Sequence, residues 1–368
     1  MSTVVRAPGK LLLLGEYAVL EGAPAIVAAV DRHVEVRMHA RPQQPSLLRA
    51  PDIGITELPF DLGPGGEMHL SRGTDPALVT RLRMVRCALA AAGRVLAEHR
   101  VPLRPLCIEL DSDELNRPDE HVKLGLGSSA AVVTALVQAV LVHAGLGAAQ
   151  GMLRALVFNT ALGAHRAAQS RLGSGVDVAA SVFGGVLRYQ LLPTPEAVLT
   201  DPLAFPEGLH MLVVWSGESA STPVMLSQVS RLRDTDPARY HDIMHHLGQL
   251  AAAGAQAFAE GAVPRFLEIV DSYRLGLDML GQASGAPIVS PAHVELAALA
   301  ARFDAAYKPS GAGGGDLGLA FARNEDSLER LAKAVYRAGY HQAHLDIERH
   351  GVQLAPRRRI DHGSCAHP

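Results

Sequence analysis

The chain has 368 residues, 48% of them hydrophobic and 19% charged, which describes a folded globular protein long enough for two domains rather than a disordered one. A net charge of −3 and 4% aromatic residues give no basic nucleic-acid surface and no stacking platform for single strands. Three cysteines without CxxC spacing (Cys87, Cys107 and Cys365) argue against a disulfide framework or structural zinc. No secretory leader is read, and the longest apolar run, 130–142, is too short for a membrane span, so a cytoplasmic protein is expected.

In chain order, 4–10 runs into 11–14 as a strand closed by Gly15. A second buried run covers 25–30, and 33–38 alternates like a half-exposed strand. Residues 41–75 are rich in Pro and Gly and read as strands joined by long turns. The stripe Leu78, Leu82, Val85, Leu89 and Val95 predicts a helix over 76–99, and a strand follows at 106–110 before an acidic loop, 111–120. Residues 125–130 open a helix to about His143, with Ser128 or Ser129 as its N-cap and Gly145 or Gly147 as its stop. A second helix spans roughly 149–170, and 178–190 contains a strand. The proline-bearing stretch 193–206 reads as the boundary between domains 1–195 and 205–350, and 351–368 reads as a frayed tail. Beyond the boundary come a strand at 210–215, a turn at 217–222, and helices near 223–233, 236–260, 263–281 and 291–304. Strands at 305–308 and 317–321 and a helix at 325–338 complete the pattern.

Two glycine-rich stretches stand out: Gly125-Leu126-Gly127-Ser128-Ser129-Ala130 and Gly311-Ala312-Gly313-Gly314-Gly315-Asp316. Around the first, residues 121–176 hold no Asp or Glu but carry Lys123, Arg154, Arg166 and Arg171. In a chain with 37 acidic residues, that gap points to an anion site. The first acid after it is Asp177, within Gly173-Ser174-Gly175-Val176-Asp177, placed to bring a lone carboxylate into a phosphate site. A Walker A loop is absent, because Gly9-Lys10 is followed by Leu11 and Val4 stands where its leading glycine belongs. A dinucleotide fingerprint fails because no acid follows Gly125–Ala130 at the required distance. A glycine turn at a helix start fits better, since free amides and aligned peptide dipoles favour an anion there. A serine hydroxyl could add a ligand for magnesium. The same letters also suit an ordinary turn before a core helix.

Pro8-Gly9-Lys10 with Gly15-Glu16-Tyr17, then Gly125–Ala131, then Lys308–Asp316, occur in the order of the three motifs of the GHMP kinases. Over about 1–340 the chain resembles that family. The resemblance implies an α+β fold of two domains, the first like domain 2 of ribosomal protein S5 and the second ferredoxin-like, with the site between them. It implies ATP-dependent phosphoryl transfer with Mg2+ to a small-molecule acceptor, without nucleic acid or membrane, by a monomer or homodimer. Tyr17, the segments 164–169 and 173–179, and Trp215-Ser216-Gly217 with Ala220-Ser221-Thr222 are similar to the branch acting on 5-phosphomevalonate. Mevalonate kinases usually carry His at the place of Tyr17 and a metal-binding Glu at that of Arg166. The expected reaction is therefore conversion of 5-phosphomevalonate to 5-diphosphomevalonate in the mevalonate pathway of isoprenoid biosynthesis. Mevalonate phosphorylation is the alternative, and a silent small-molecule sensor a second one.

The resemblance also implies roles. Lys10 and Asp177 are the catalytic pair, with Lys10 steadying the carboxylate charge. Gly125, Leu126, Gly127, Ser128, Ser129 and Ala130, and from the second loop Gly311, Ala312, Gly313 and Gly314, face the nucleotide phosphates. Ser129, with Ser128 as the other choice, is the expected magnesium ligand, and Glu16, Tyr17, Ser174, Ser221 and Lys123 are the acceptor-side residues. His241 and His245, at i and i+4, have no evident third metal ligand and read as a polar helix face.

Overall fold

The computed structural model describes residues 2–116, 124–147, 150–169, 173–194, 197–219 and 221–355. The chain begins with β1 (Ser2–Leu14), β2 (Ala25–Ala40), β3 (Ser46–Ala50), β4 (Ile55–Leu62) and β5 (Met68–His69). There follow α1 (Pro76–Arg81), α2 (Arg83–Glu98), β6 (Leu106–Asp111), α3 (Ser128–His143), α4 (Gln150–Ala168) and α5 (Val176–Phe183). Next are β7 (Val186–Leu191), β8 (Val198–Leu203), β9 (His210–Trp215), α6 (Thr222–Thr235), α7 (Pro237–Ala259), α8 (Val263–Ser284) and α9 (Pro291–Ala301). The last elements are β10 (Ala306–Pro309), β11 (Leu317–Ala322), α10 (Glu325–Arg337), β12 (His341–Gln342) and β13 (Gln353–Leu354).

A nine-stranded sheet orders β13-β1-β2-β6-β3-β4-β5, with β7 joining β2 and β8 joining β7. Its central strand β2 is long enough to serve two partners, pairing β7 through Ala25–Ala28 and β6 through Glu35–Ala40. That division explains the two hydropathy patterns read along it: the first part is buried on both faces, the second alternates. The pairing of β1 with β2 slips between Pro8 and Gly9 and again between Leu12 and Leu14. Such bulges re-aim the side chains that follow, and Lys10 lies between them.

The second sheet is antiparallel, in the order β10-β11-β9-β12. Taken with α8 and α10 in the crossovers, this is the ferredoxin-like βαββαβ arrangement. Side-chain alternation sends Val213, Leu319 and Phe321 to the core shared with the first sheet. Leu212, Val214, Ala320 and Ala322 go to a smaller core with Leu296, Leu331 and Val335 of α9 and α10. Both faces are buried.

The strand expected within 178–190 is β7, from Val186 to Leu191, and the apolar residues before it form α5; a run this short does not distinguish helix from strand by period. Two expectations need correction. The segment read as an interdomain linker contains β8, which pairs with β7 from Val186 to Leu203, so the chain leaves the first sheet only after residue 203. The start of the expected tail is not frayed: β13 pairs with β1, and Val352 is buried. Residues 356–368, including Cys365, lie outside the described residues.

Candidate active site

Lys10 reaches the interior from β1 and is only 7% exposed. Its backbone N–H donates to the Leu126 carbonyl at 2.8 Å, and its Nζ donates to the Gly125 carbonyl at 3.3 Å. The first glycine turn is thus strapped onto the strand. Gly127 has φ 73°, in the left-handed region, and a Cβ there would stand 2.8 Å from Lys10 Cγ and 3.6 Å from Asp177 Oδ2. Lysine and aspartate therefore flank one glycine. That residue is also the N-cap of α3, where Ser128 or Ser129 was expected. Glycine takes the left-handed conformation without penalty, and the shift moves both serines into the first helical turn. There the Ser129 hydroxyl lies 3.1 Å from His165 Nε2.

Asp177 sits in the first turn of α5, behind Gly175 at φ 86°. A side chain on Gly175 would strike Leu162 Cδ1 at 2.2 Å, so close packing of α4 on this turn requires glycine. Tyr189 donates its hydroxyl hydrogen bond to the Ser174 carbonyl at 2.6 Å, and Val176 N–H donates to Ser174 Oγ at 3.3 Å. Ser181 Oγ donates to the Pro8 carbonyl at 2.7 Å, tying α5 to the bulge in β1. The distance between the carboxylate and Lys10 is thereby fixed from two sides.

The second glycine loop comes from the other half of the chain. A Cβ on Gly125 would lie 2.9 Å from the Asp316 side chain, and one on Gly311 would lie 3.7 Å from Lys10 Nζ. The two loops and Lys10 meet. The second loop is anchored by buried polar groups: Lys308 Nζ and Glu16 Oε1 are 2.5 Å apart, with both side chains at most 1% exposed. Glu16 Oε1 also accepts from Gly311 N–H at 3.4 Å. Burial pushes the Glu16 carboxyl up and the Lys308 ammonium down, and their mutual contact opposes both shifts. Tyr17 donates to the Ala312 carbonyl at 2.5 Å from a backbone held at φ 59°, and burial raises its pKa so that it remains a donor. On the far side His293 bridges the Tyr307 hydroxyl at 2.8 Å and the Gly315 carbonyl at 3.0 Å, and Gly314 N–H donates to the Ile288 carbonyl.

A cavity of about 140 Å³ opens among these elements, and its walls include Lys10, Glu16, Tyr17, His165, Ser174, Asp177, Gly311 and Ala312. A larger groove, about 740 Å³ between β9 and α10, holds none of these residues, so size alone does not locate the chemistry. Of the expected acceptor-side residues, Glu16, Tyr17 and Ser174 reach the cavity. Ser221 does not: it is exposed at the N-cap of α6, and Thr222 forms the wall instead. Lys123 lies outside the described residues, as does Arg171. Arg154 lines a separate groove beside the 350–354 segment, so the acid-free span does not deliver all its cations to one place. Arg81 and Arg83 are engaged by the carbonyls of Ile53 and Ala168. His245 pairs with Gln249 on an exposed helix face, and no cluster of three metal-ligating side chains occurs among the described residues.

His165 was not singled out as a site residue from the sequence. It is 2% exposed on the α4 face that also buries Ala161, Leu162, Ala164 and Ala168, and a histidine on that stripe was the available signal. Burial lowers its pKa, with the nearby Asp177 opposing.

A lysine, a carboxylate and two glycine loops converging between an α/β domain and a ferredoxin-like domain define the architecture of a small-molecule kinase. Residues 84–185 match the family described as GHMP kinases N terminal domain. The chain is 33% identical over 359 residues to the phosphomevalonate kinase of Streptomyces sp. (strain CL190), covering 89% of this chain and 92% of that one. It is 27% identical to the mevalonate kinase of Thermococcus gammatolerans, covering 96% and 98%. The structure of Streptococcus pneumoniae phosphomevalonate kinase in complex with phosphomevalonate and AMPPNP superposes with a TM-score of 0.75 at 22% identity, covering 94% of this chain and 99% of that one. The chain belongs to the GHMP kinase family. No helix among the described residues is long and apolar enough to cross a membrane.

Proposed function

We propose that the protein transfers the γ-phosphoryl group of ATP to 5-phosphomevalonate, giving ADP and 5-diphosphomevalonate. The observation that carries this reading is the meeting of Lys10 and Asp177 across Gly127 and in the wall of one cavity, which a glycine loop from the other half of the chain also lines. The choice of acceptor is supported by greater identity to a phosphomevalonate kinase than to a mevalonate kinase.

In this reading the triphosphate lies over the first turn of α3, whose leading amides have no intrahelical acceptor and whose dipole favours negative charge. Small residues at Gly125 and Gly127 let phosphate approach the backbone. Lys10 faces the transferring group and offsets charge as it moves. Magnesium fits the donor set through the Ser129 hydroxyl, because this ion commonly keeps water and binds substrate phosphates instead of a full protein cage. When bound it would neutralise charge between adjacent phosphate oxygens. Asp177 holds the incoming acceptor oxygen in line. A phosphate oxygen is ionised or nearly so near neutral pH, so positioning is the larger share of the Asp177 role. Ser174 and Thr222 stand on the acceptor side.

The test follows ADP release with mevalonate, 5-phosphomevalonate, homoserine and galactose in parallel. Turnover is expected with 5-phosphomevalonate. Turnover of mevalonate alone would move the acceptor assignment, and none with any acceptor would favour a sensor.

A further inference from the structure

His165 and Ser129 come from different helices, and their contact orients a hydroxyl from outside the glycine turn. His165 Nε2 is 3.1 Å from Ser129 Oγ, while His165 Nδ1 is buried with no hydrogen-bond partner among the described residues. The ring also lines the cavity holding Lys10 and Asp177. A serine hydroxyl carries one proton and two lone pairs. To serve a cation it must turn a lone pair toward the ion and its proton elsewhere. Nε2 can accept that proton when it is the bare ring nitrogen. Nδ1 has no partner among the described residues whichever nitrogen is protonated, so the contact with Ser129 is the ring's one hydrogen bond there.

We propose that His165 is a positioning residue for Ser129: its neutral ring carries the proton on Nδ1, accepts the Ser129 hydroxyl proton at Nε2, and turns the Ser129 lone pairs toward the cradle opened by Gly127. The proposal rests on the reading of Ser129 as a ligand of the nucleotide-bound cation. In the opposite tautomer, Nε2–H would occupy a lone pair of Ser129 and leave the serine proton free to face the phosphates. The histidine would then leave the ion a single lone pair and compete with it for the oxygen. Outer partners of this kind typically change metal affinity by about 10–100-fold.

Nitrogen NMR of the histidine rings in the free, full-length protein reads the tautomer without any turnover. A bare Nε2 and a protonated Nδ1 are expected at His165, and a protonated Nε2 overturns the proposal. Independently, Mn2+ binding in the presence of AMPPNP is titrated by electron paramagnetic resonance. His165→Phe should weaken Mn2+ by about 10–100-fold while metal-free AMPPNP binds as before. His165→Gln, whose amide oxygen can accept from Ser129, should recover much of the loss. Unchanged Mn2+ affinity in folded His165→Phe overturns the proposal, and so does an equal loss of metal-free AMPPNP, which would mean that the ring merely props the start of α3. Unchanged Mn2+ affinity in Ser129→Ala removes the metal-ligand reading and the proposal with it. Neither result bears on the acceptor, which the ADP-release assay decides.

Discussion

The two glycine loops meet at Lys10 but are built on different principles. The loop at 125–130 is the start of a helix: its conformation comes from Gly127 at φ 73°, and its donors come from first-turn amides. The loop at 311–315 opens no helix and joins two strands. Its shape depends on groups distant in sequence, including Glu16, Lys308, His293 and Ile288, and the amides of Gly311 and Gly314 are engaged within the protein. One loop takes its geometry from secondary structure, the other from a buried polar framework. The first should therefore respond to substitution chiefly in rate, and the second chiefly in stability.

The largest effect is expected beside the first loop. Asp177→Asn keeps the size of the side chain but replaces the charged oxygen that holds the acceptor in line, so turnover should fall by more than about 10²-fold while AMPPNP still binds by calorimetry. Near-normal turnover would take Asp177 out of the mechanism. Under the second loop, Lys308→Met leaves the buried Glu16 without its cation. Breaking such a pair from one side costs about 3–5 kcal/mol, measurable as a shift in denaturant midpoint. Glu16→Gln added to Lys308→Met should restore part of it. If the single replacement leaves stability unchanged, the framework does not carry the loop.

A smaller, pH-dependent effect tests the other anchor. Burial lowers His293 to about 4 from its ordinary 6.5. The unfolded chain therefore takes up this proton first as pH falls. The neutral ring contributes its full stability above about pH 6.5 and loses about 3 kcal/mol as pH drops toward 4. His293→Phe should flatten that part of the stability profile, and an unaltered acid limb would show that other groups set it. Last, Gly127→Ala puts a methyl group against Lys10 Cγ in a left-handed backbone. Displacing Lys10 on this scale should lower kcat by about 10²-fold, with only about 1–2 kcal/mol lost in stability. A larger loss of stability than of rate would erase the contrast between the loops.

Much of this was legible in residue order. Strand β9 and helices α6 to α10 lie close to where hydropathy places them, because each has a proline or glycine near its ends and α10 carries a strong apolar stripe. Asp177 and both loops could be noticed because glycine runs and an acid-free span are rare, whereas Lys10 could be named only through the motif that resembles the GHMP kinases. Other features left little local trace. The run 178–182 fits helix and strand alike, β8 hides in a proline-bearing stretch, and β13 needs a partner some 350 residues earlier to become a strand at all.

By itself, the sequence determined the chemical parts: a lysine after Gly9, a carboxylate after Gly175, serines behind Gly127, and glycines wherever backbone must approach closely. Only the tertiary structure decided how those parts are held. It buried Glu16 against Lys308, turned Ser129 toward His165 and brought Thr222 rather than Ser221 to the cavity. The physical reason is range: backbone preference and periodicity act over a few residues, whereas the pairing of a buried polar group depends on whatever the whole fold packs beside it.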